Sequence, residues 1–113
     1  MSVSRMVNDQ ELEERVLEKK GFVVVFFFWP NQTSCNHFSP RYESVAAELG
    51  EHAAFLKLNV MENPTLTQDL RVDVVPTTVV YKDGCEAARF EGECSKDVLF
   101  RRLKDLFSSR KSR

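Results

Sequence analysis

Cys35 is the residue whose type and setting best suit covalent chemistry. It follows a short polar loop, Pro30-Asn31-Gln32-Thr33-Ser34, in which Thr33 and Ser34 can cap a helix. It also opens a run where Cys35, Phe38, Tyr42, Val45, Ala46 and Leu49 recur at helical spacing. A thiol at a helix start lies in the field of unpaired N–H groups, which favours the thiolate. The same setting suits an inert, covered thiol, because free cysteine is among the residue types most often buried. The covered thiol is the leading expectation and the reactive one the alternative. Cys85 and Cys94 are the other thiols. A dithiol cycle needs one sulfur to attack and a second to resolve the mixed disulfide. Nothing in the spacing brings Cys85 or Cys94 to Cys35, so both are read as surface or structural thiols. His37, two residues from Cys35, points to another side of a helix, His52 is isolated, and no Cys-x-x-Cys exists; no metal site is expected.

The elements that must hold this thiol lie on either side of it. Residues 23–29 form an almost unbroken apolar, β-branched and aromatic run, as a strand covered on both faces reads. Gly50 is expected to end the following helix in the left-handed conformation, and Pro40 to bend it. Upstream, residues 1–7 are either an edge strand using Val3 and Met6 or a loose terminus. Asn8 and Glu11 have capping-box spacing for a helix reaching about Lys19, with Leu12, Val16 and Leu17 inward and Gly21 at its stop. Downstream, residues 53–60 read as a second buried strand interrupted by Lys57. Asn63-Pro64 opens a short helix with Leu66 and Leu70 inward. Residues 77–81, the turn Asp83-Gly84 and residues 86–90 form a hairpin. Ser95 caps a final helix with Leu99, Leu103, Leu106 and Phe107 on one face, and residues 108–113 form a basic linker or tail.

A chain of 113 residues, 42% hydrophobic with nine Phe, makes one domain, here residues 8–107. A domain of this size buries about 65% of its unfolded surface. A net charge of −1 gives no reason to expect nucleic acid or a membrane surface as partner. No apolar run approaches transmembrane length, and no export signal opens the chain. Three cysteines at irregular spacing do not make a disulfide framework, so the expected location is cytoplasmic, with the nucleus as a second compartment.

The strand, the loop, Cys35 and Pro40 resemble the active-site segment of thioredoxins. So do Leu58-Asn59-Val60, the stretch Val75-Pro76-Thr77-Thr78-Val79-Val80-Tyr81-Lys82-Asp83-Gly84, and Gly92. The resemblance covers roughly residues 8–107 and implies an α/β thioredoxin fold, a central mixed four- or five-stranded sheet flanked by about four helices. It also implies a cis Val75–Pro76 bond beside Cys35. In that family the loop reads Trp-Cys-Gly-Pro-Cys; here it reads Asn31-Gln32-Thr33-Ser34-Cys35, so Gln32 stands where the attacking cysteine would be. The buried acid that accepts the second cysteine's proton is replaced by Phe26, which leaves Lys57 to reach solvent along its stem.

The resemblance further implies a shallow groove. One wall is the loop Trp29, Pro30, Asn31, Gln32, Thr33 and Ser34; the other is Val60, Asp73, Val74, Val75, Pro76, Gly92 and Glu93. An extended peptide fits there, paired to the backbone of Val75. The functional expectation is a module with a degenerate active site that binds protein partners instead of reducing disulfides. It resembles the N-terminal thioredoxin-like domain of multidomain monothiol glutaredoxins, with a glutaredoxin domain following in cis and no cofactor of its own. The alternative is a monothiol oxidoreductase in which Cys35 works with glutathione or a protein thiol. A non-redox scaffold is the third reading.

Overall fold

The computed structural model describes residues 3–108, the side chain of Leu17 excepted, so the expected inward role of Leu17 and residues 109–113 of the tail lie outside the described residues. In chain order the elements are β1 (Arg5–Val7), α1 (Asp9–Glu18), β2 (Phe22–Phe28), α2 (Thr33–Leu49), β3 (Ala53–Asn59), α3 (Pro64–Asp69), β4 (Thr77–Lys82), β5 (Cys85–Glu91) and α4 (Lys96–Ser108). They build one five-stranded sheet in the order β1-β3-β2-β4-β5. Strands β1, β2 and β3 run parallel, while β4 and β5 are antiparallel to their neighbours.

Strand β2 is central because its sequence can tolerate no wet face. Val24 and Phe26 enter a core shared with α2 and α4, while Val23, Val25 and Phe27 enter a second core shared with α1 and α3. Burying each such side chain fully stabilises the fold by roughly 1.5–3 kcal/mol. The expected apolar stripe of α2, from Cys35 to Leu49, is its buried face, and the helix continues through Pro40. Within it the Tyr42 hydroxyl lies 3.0 Å from the Val24 carbonyl and 2.7 Å from that of Leu56, so one side chain ties α2 to both β2 and β3.

Helix α1 starts as its sequence predicts: Asn8 accepts from the Glu11 N–H, and the Glu11 side chain accepts from the Asn8 N–H. Asp83 and Gly84 turn the β4–β5 hairpin at φ 52° and 90°. The Ser95 hydroxyl accepts from the Val98 N–H at the head of α4.

Three local expectations are corrected. Gly50 is right-handed, at φ −62°, ψ −17°. Its lack of a side chain matters through contact, because a Cβ there would meet the Ala46 carbonyl at 3.0 Å. Asn63 does not cap α3 with its side chain; it accepts from the Asp9 N–H at 3.0 Å and donates to the Asn59 carbonyl at 2.9 Å, joining α1 to the end of β3. Lys57 does not reach out for solvent. Its ammonium meets Glu43 of α2 at 3.1 Å, with both side chains 18% exposed. Glu43 also accepts from the backbone N–H groups of Val3 and Ser4, each at 2.8 Å, and so pins the entry to β1. No helix among the described residues is long and apolar enough to cross a membrane.

Candidate active site

The site forms where β2 ends and α2 begins. The Gln32 N–H donates to the Trp29 carbonyl at 3.2 Å, closing a turn in which Asn31 takes a positive φ of 66°. Neither Thr33 nor Ser34 caps the helix, as the loop composition led one to expect. The cap is Gln32, whose Oε1 accepts from the Cys35 N–H at 2.8 Å. Glutamine reaches this bond because its longer stem folds back over the first turn, where a shorter hydroxyl would normally serve.

The thiol that follows this cap is buried. Cys35 is 3% exposed, and its Sγ accepts from the Trp29 N–H at 3.4 Å. Burial pushes the thiol above its ordinary range and the Trp29 hydrogen bond pulls it down, while the Glu93 carboxylate pushes it up further. Burial disfavours the charged form, and here it outweighs the Trp29 N–H. Cys35, Cys85 and Cys94 are all free thiols; Cys85 is exposed and Cys94 partly so.

Behind the thiol, Phe26 packs its ring against Phe28, Phe38 and Tyr42 at centroid separations of 5.5, 5.3 and 5.0 Å. Phe26 and Lys57 are register partners on adjacent strands, yet Lys57 directs its charge to Glu43. Among the described residues no carboxylate lines the floor of the site. A cleft of about 260 Å³ opens there, lined among others by Phe26, Pro30, Asn31, Cys35, Asn36 and Lys57. Sequence reasoning missed this approach and also missed Glu43, because a carboxylate on one helix facing a lysine from a strand leaves no periodic signal.

The opposite wall is the Val75–Pro76 segment, whose peptide bond is cis, as the resemblance implied. The Gly92 N–H donates to the Pro76 carbonyl at 2.7 Å, and the Thr77 hydroxyl donates to the Val74 carbonyl at 2.6 Å. These bonds set the segment beside the Gly92–Glu93 turn. Val60 is held by its N–H to the Phe28 carbonyl at 2.9 Å. Trp29 and Val74 stand out at 48% and 46% exposure, whereas Pro76 is buried. Arg41, not singled out from the sequence, holds Glu93 at 3.2 Å and the Cys94 carbonyl at 3.1 Å. The expected groove residues thus share one end of the molecule with Cys35, but the thiol is buried and not on the open surface.

The chain is similar to thioredoxins of several bacteria. It is 33% identical to the thioredoxin of Rhodospirillum rubrum over 85% of this chain and 92% of that protein. It is 31% identical to that of Mycolicibacterium smegmatis over 92% of this chain and 95% of that protein. A solved chain, from work on thiol resolution in yeast mitochondrial 1-Cys peroxiredoxin via the glutathione/thioredoxin systems, matches with a TM-score of 0.80 at 20% identity. That match covers 90% of this chain and 94% of the other, and it shows the shared fold. The relatives overturn the expectation of a degenerate accessory module. Proteins named thioredoxin align over nearly the whole chain, which points to a thioredoxin redox function. Kinship is established at the level of thioredoxin and not of glutaredoxin. With the thioredoxin family model matching residues 3–105, the chain belongs to the thioredoxin family.

Proposed function

We propose that the chain carries out thiol–disulfide exchange of the thioredoxin kind on a protein partner, with Cys35 as the exchanging sulfur. The observation that carries this reading is the setting of Cys35, the third residue of α2, with the Trp29 N–H directed at its Sγ. The Cys35 thiolate attacks one sulfur of the partner's disulfide; a new S–S bond forms, the old one breaks, and the other sulfur leaves as a thiolate. A second thiol then attacks the mixed disulfide and returns Cys35 to the reduced state. Gln32 has no sulfur to offer, so that thiol comes from the partner or from a small thiol such as glutathione.

The groove supports the partner's chemistry. The backbone N–H and C=O of Val75 have no hydrogen-bond partner among the described residues, which suits an extended peptide laid beside Pro76. Trp29 and Val74 give it apolar contact. Burial and the raised thiol set the pace: the partner's sulfur must reach a covered atom, and only the ionised fraction of Cys35 attacks.

The test is reduction of a peptide disulfide in excess small thiol, comparing the chain with Cys35→Ser. An acceleration over the thiol alone that Cys35→Ser abolishes supports the reading. Equal rates with both chains overturn it.

A further inference from the structure

The end of the molecule that carries the groove has a charge character of its own. The register places Phe28 opposite Asn59, Phe27 opposite Thr77, and Thr77 opposite Glu91, so the segments after β2, after β3, before β4 and after β5 all emerge at this end. Among the described residues the exposed large apolar side chains are Val3, Met6, Trp29, Met61 and Val74, and the last three belong to these segments. Around them stand three exposed carboxylates, Glu62, Asp73 and Glu93. The nearby cations do not offset them fully. Arg41 already serves Glu93, and Lys96 is drawn away to Glu48 at 2.7 Å. Arg71 is the remaining Lys or Arg of these segments. The chain's net charge of −1 makes this an arrangement of charge on one face and not a property of the whole surface.

We infer that this surface selects a basic extended peptide, with an apolar side chain set against Trp29 and Val74 and Lys or Arg flanking it. Apolar contact supplies the area, while the carboxylates favour cationic flanks and repel acidic ones, so charge decides between peptides of equal hydrophobicity. The interaction is exposed and therefore screened by salt over about 10 Å at 0.1 M. The inference rests on the proposed exchange only for the partner's cysteine; the charge preference is a property of the surface.

The experiment uses the full chain with Cys85→Ser and Cys94→Ser, so that Cys35 is the remaining thiol. Three peptides carry one cysteine beside a Phe, flanked by Lys, Ser or Glu, with the cysteine linked through a disulfide to 2-nitro-5-thiobenzoate. Cys35 attacks the peptide sulfur, the Cys35–peptide disulfide forms, and the coloured thiobenzoate leaves as the thiolate. At low salt the Lys peptide is expected to react about tenfold faster than the Glu peptide, and the gap should narrow at 0.5 M salt. The double variant Glu93→Lys and Asp73→Lys should reverse the order. A second series with serine in place of cysteine, followed through the fluorescence of the single tryptophan, Trp29, should bind in the same rank. Equal rates and equal binding across the three peptides overturn the charge preference and leave the exchange reading standing. Ranked binding without thiobenzoate release above a Cys35→Ser control keeps the preference and overturns the exchange reading.

Discussion

Gln32 spends its amide oxygen on the Cys35 N–H, and in doing so it starts α2 and fixes the turn that carries the thiol. Two consequences follow for single residues. Gln32→Ala should cost about 1 kcal/mol of stability, as the loss of a helix cap does. By loosening the first turn of α2 it should also raise the rate at which iodoacetamide labels Cys35, followed by mass spectrometry of the native chain; an unchanged labelling rate would show that the cap does not keep the thiol buried. Gln32→Cys should give a chain that reduces protein disulfides without an external resolving thiol, since a second sulfur then stands one helical turn from the first. The pH dependence has a definite sign. Cys35 is held above the ordinary thiol range, chiefly by burial, so its labelling in the folded chain should keep rising with pH where a free thiol has levelled off. The thiol and its helix were legible in the sequence because Cys35 heads an unbroken apolar stripe. The cap was not, since composition favours Thr33 or Ser34 and only the chain path brings Gln32 back onto the first turn.

At the scale of elements, two polar side chains of α2, Tyr42 and Glu43, fasten it to the sheet. Tyr42 reaches carbonyls of two neighbouring strands from a fully buried position. Glu43 gathers Lys57 and the backbone of Val3 and Ser4. Tyr42→Phe removes one donor from a buried site and should cost about 1–2 kcal/mol in denaturant unfolding. Glu43→Ala removes the carboxylate that meets Lys57 and accepts from the N–H groups of Val3 and Ser4, so a loss of about 2–3 kcal/mol is expected. A loss below about 0.5 kcal/mol in either variant would show that the contact does not fasten the helix. The periodicities of β2, α2 and α4 announced these elements, because burial on one or two faces writes itself into spacing. Pairings across elements do not. The Lys57–Glu43 pair and the Asn63 links to Asp9 and Asn59 join residues from different elements, and sequence distance carries no record of that.

For the whole molecule, alkaline pH is the informative stress. Burial raises Tyr42 well above the ordinary phenol range and pushes Tyr81 up to about 12. Each phenol ionises more readily in the unfolded chain, so the unfolded state holds fewer protons and stability must fall with pH. The loss should begin near pH 10, the usual phenol value, and deepen toward pH 12; midpoints of urea unfolding at pH 8, 10 and 11 would trace it, and a flat profile would refute the burial of these hydroxyls. The overall fold was open to sequence reading because turn residues, strand runs and helix faces all agreed, down to the hairpin at Asp83-Gly84. The function read from the missing sulfur alone was misleading, since the loop at Gln32 weighed more in that reading than the kinship of the whole chain.

The central claim is that Cys35 itself joins a partner through sulfur. Incubating the reduced chain, carrying Cys85→Ser and Cys94→Ser, with an oxidised peptide disulfide under native conditions and taking its intact mass tests this directly. One peptide added through Cys35 and released by a small thiol is the predicted result. A native chain that stays unmodified, while the same chain in denaturant takes up the peptide, would contradict it.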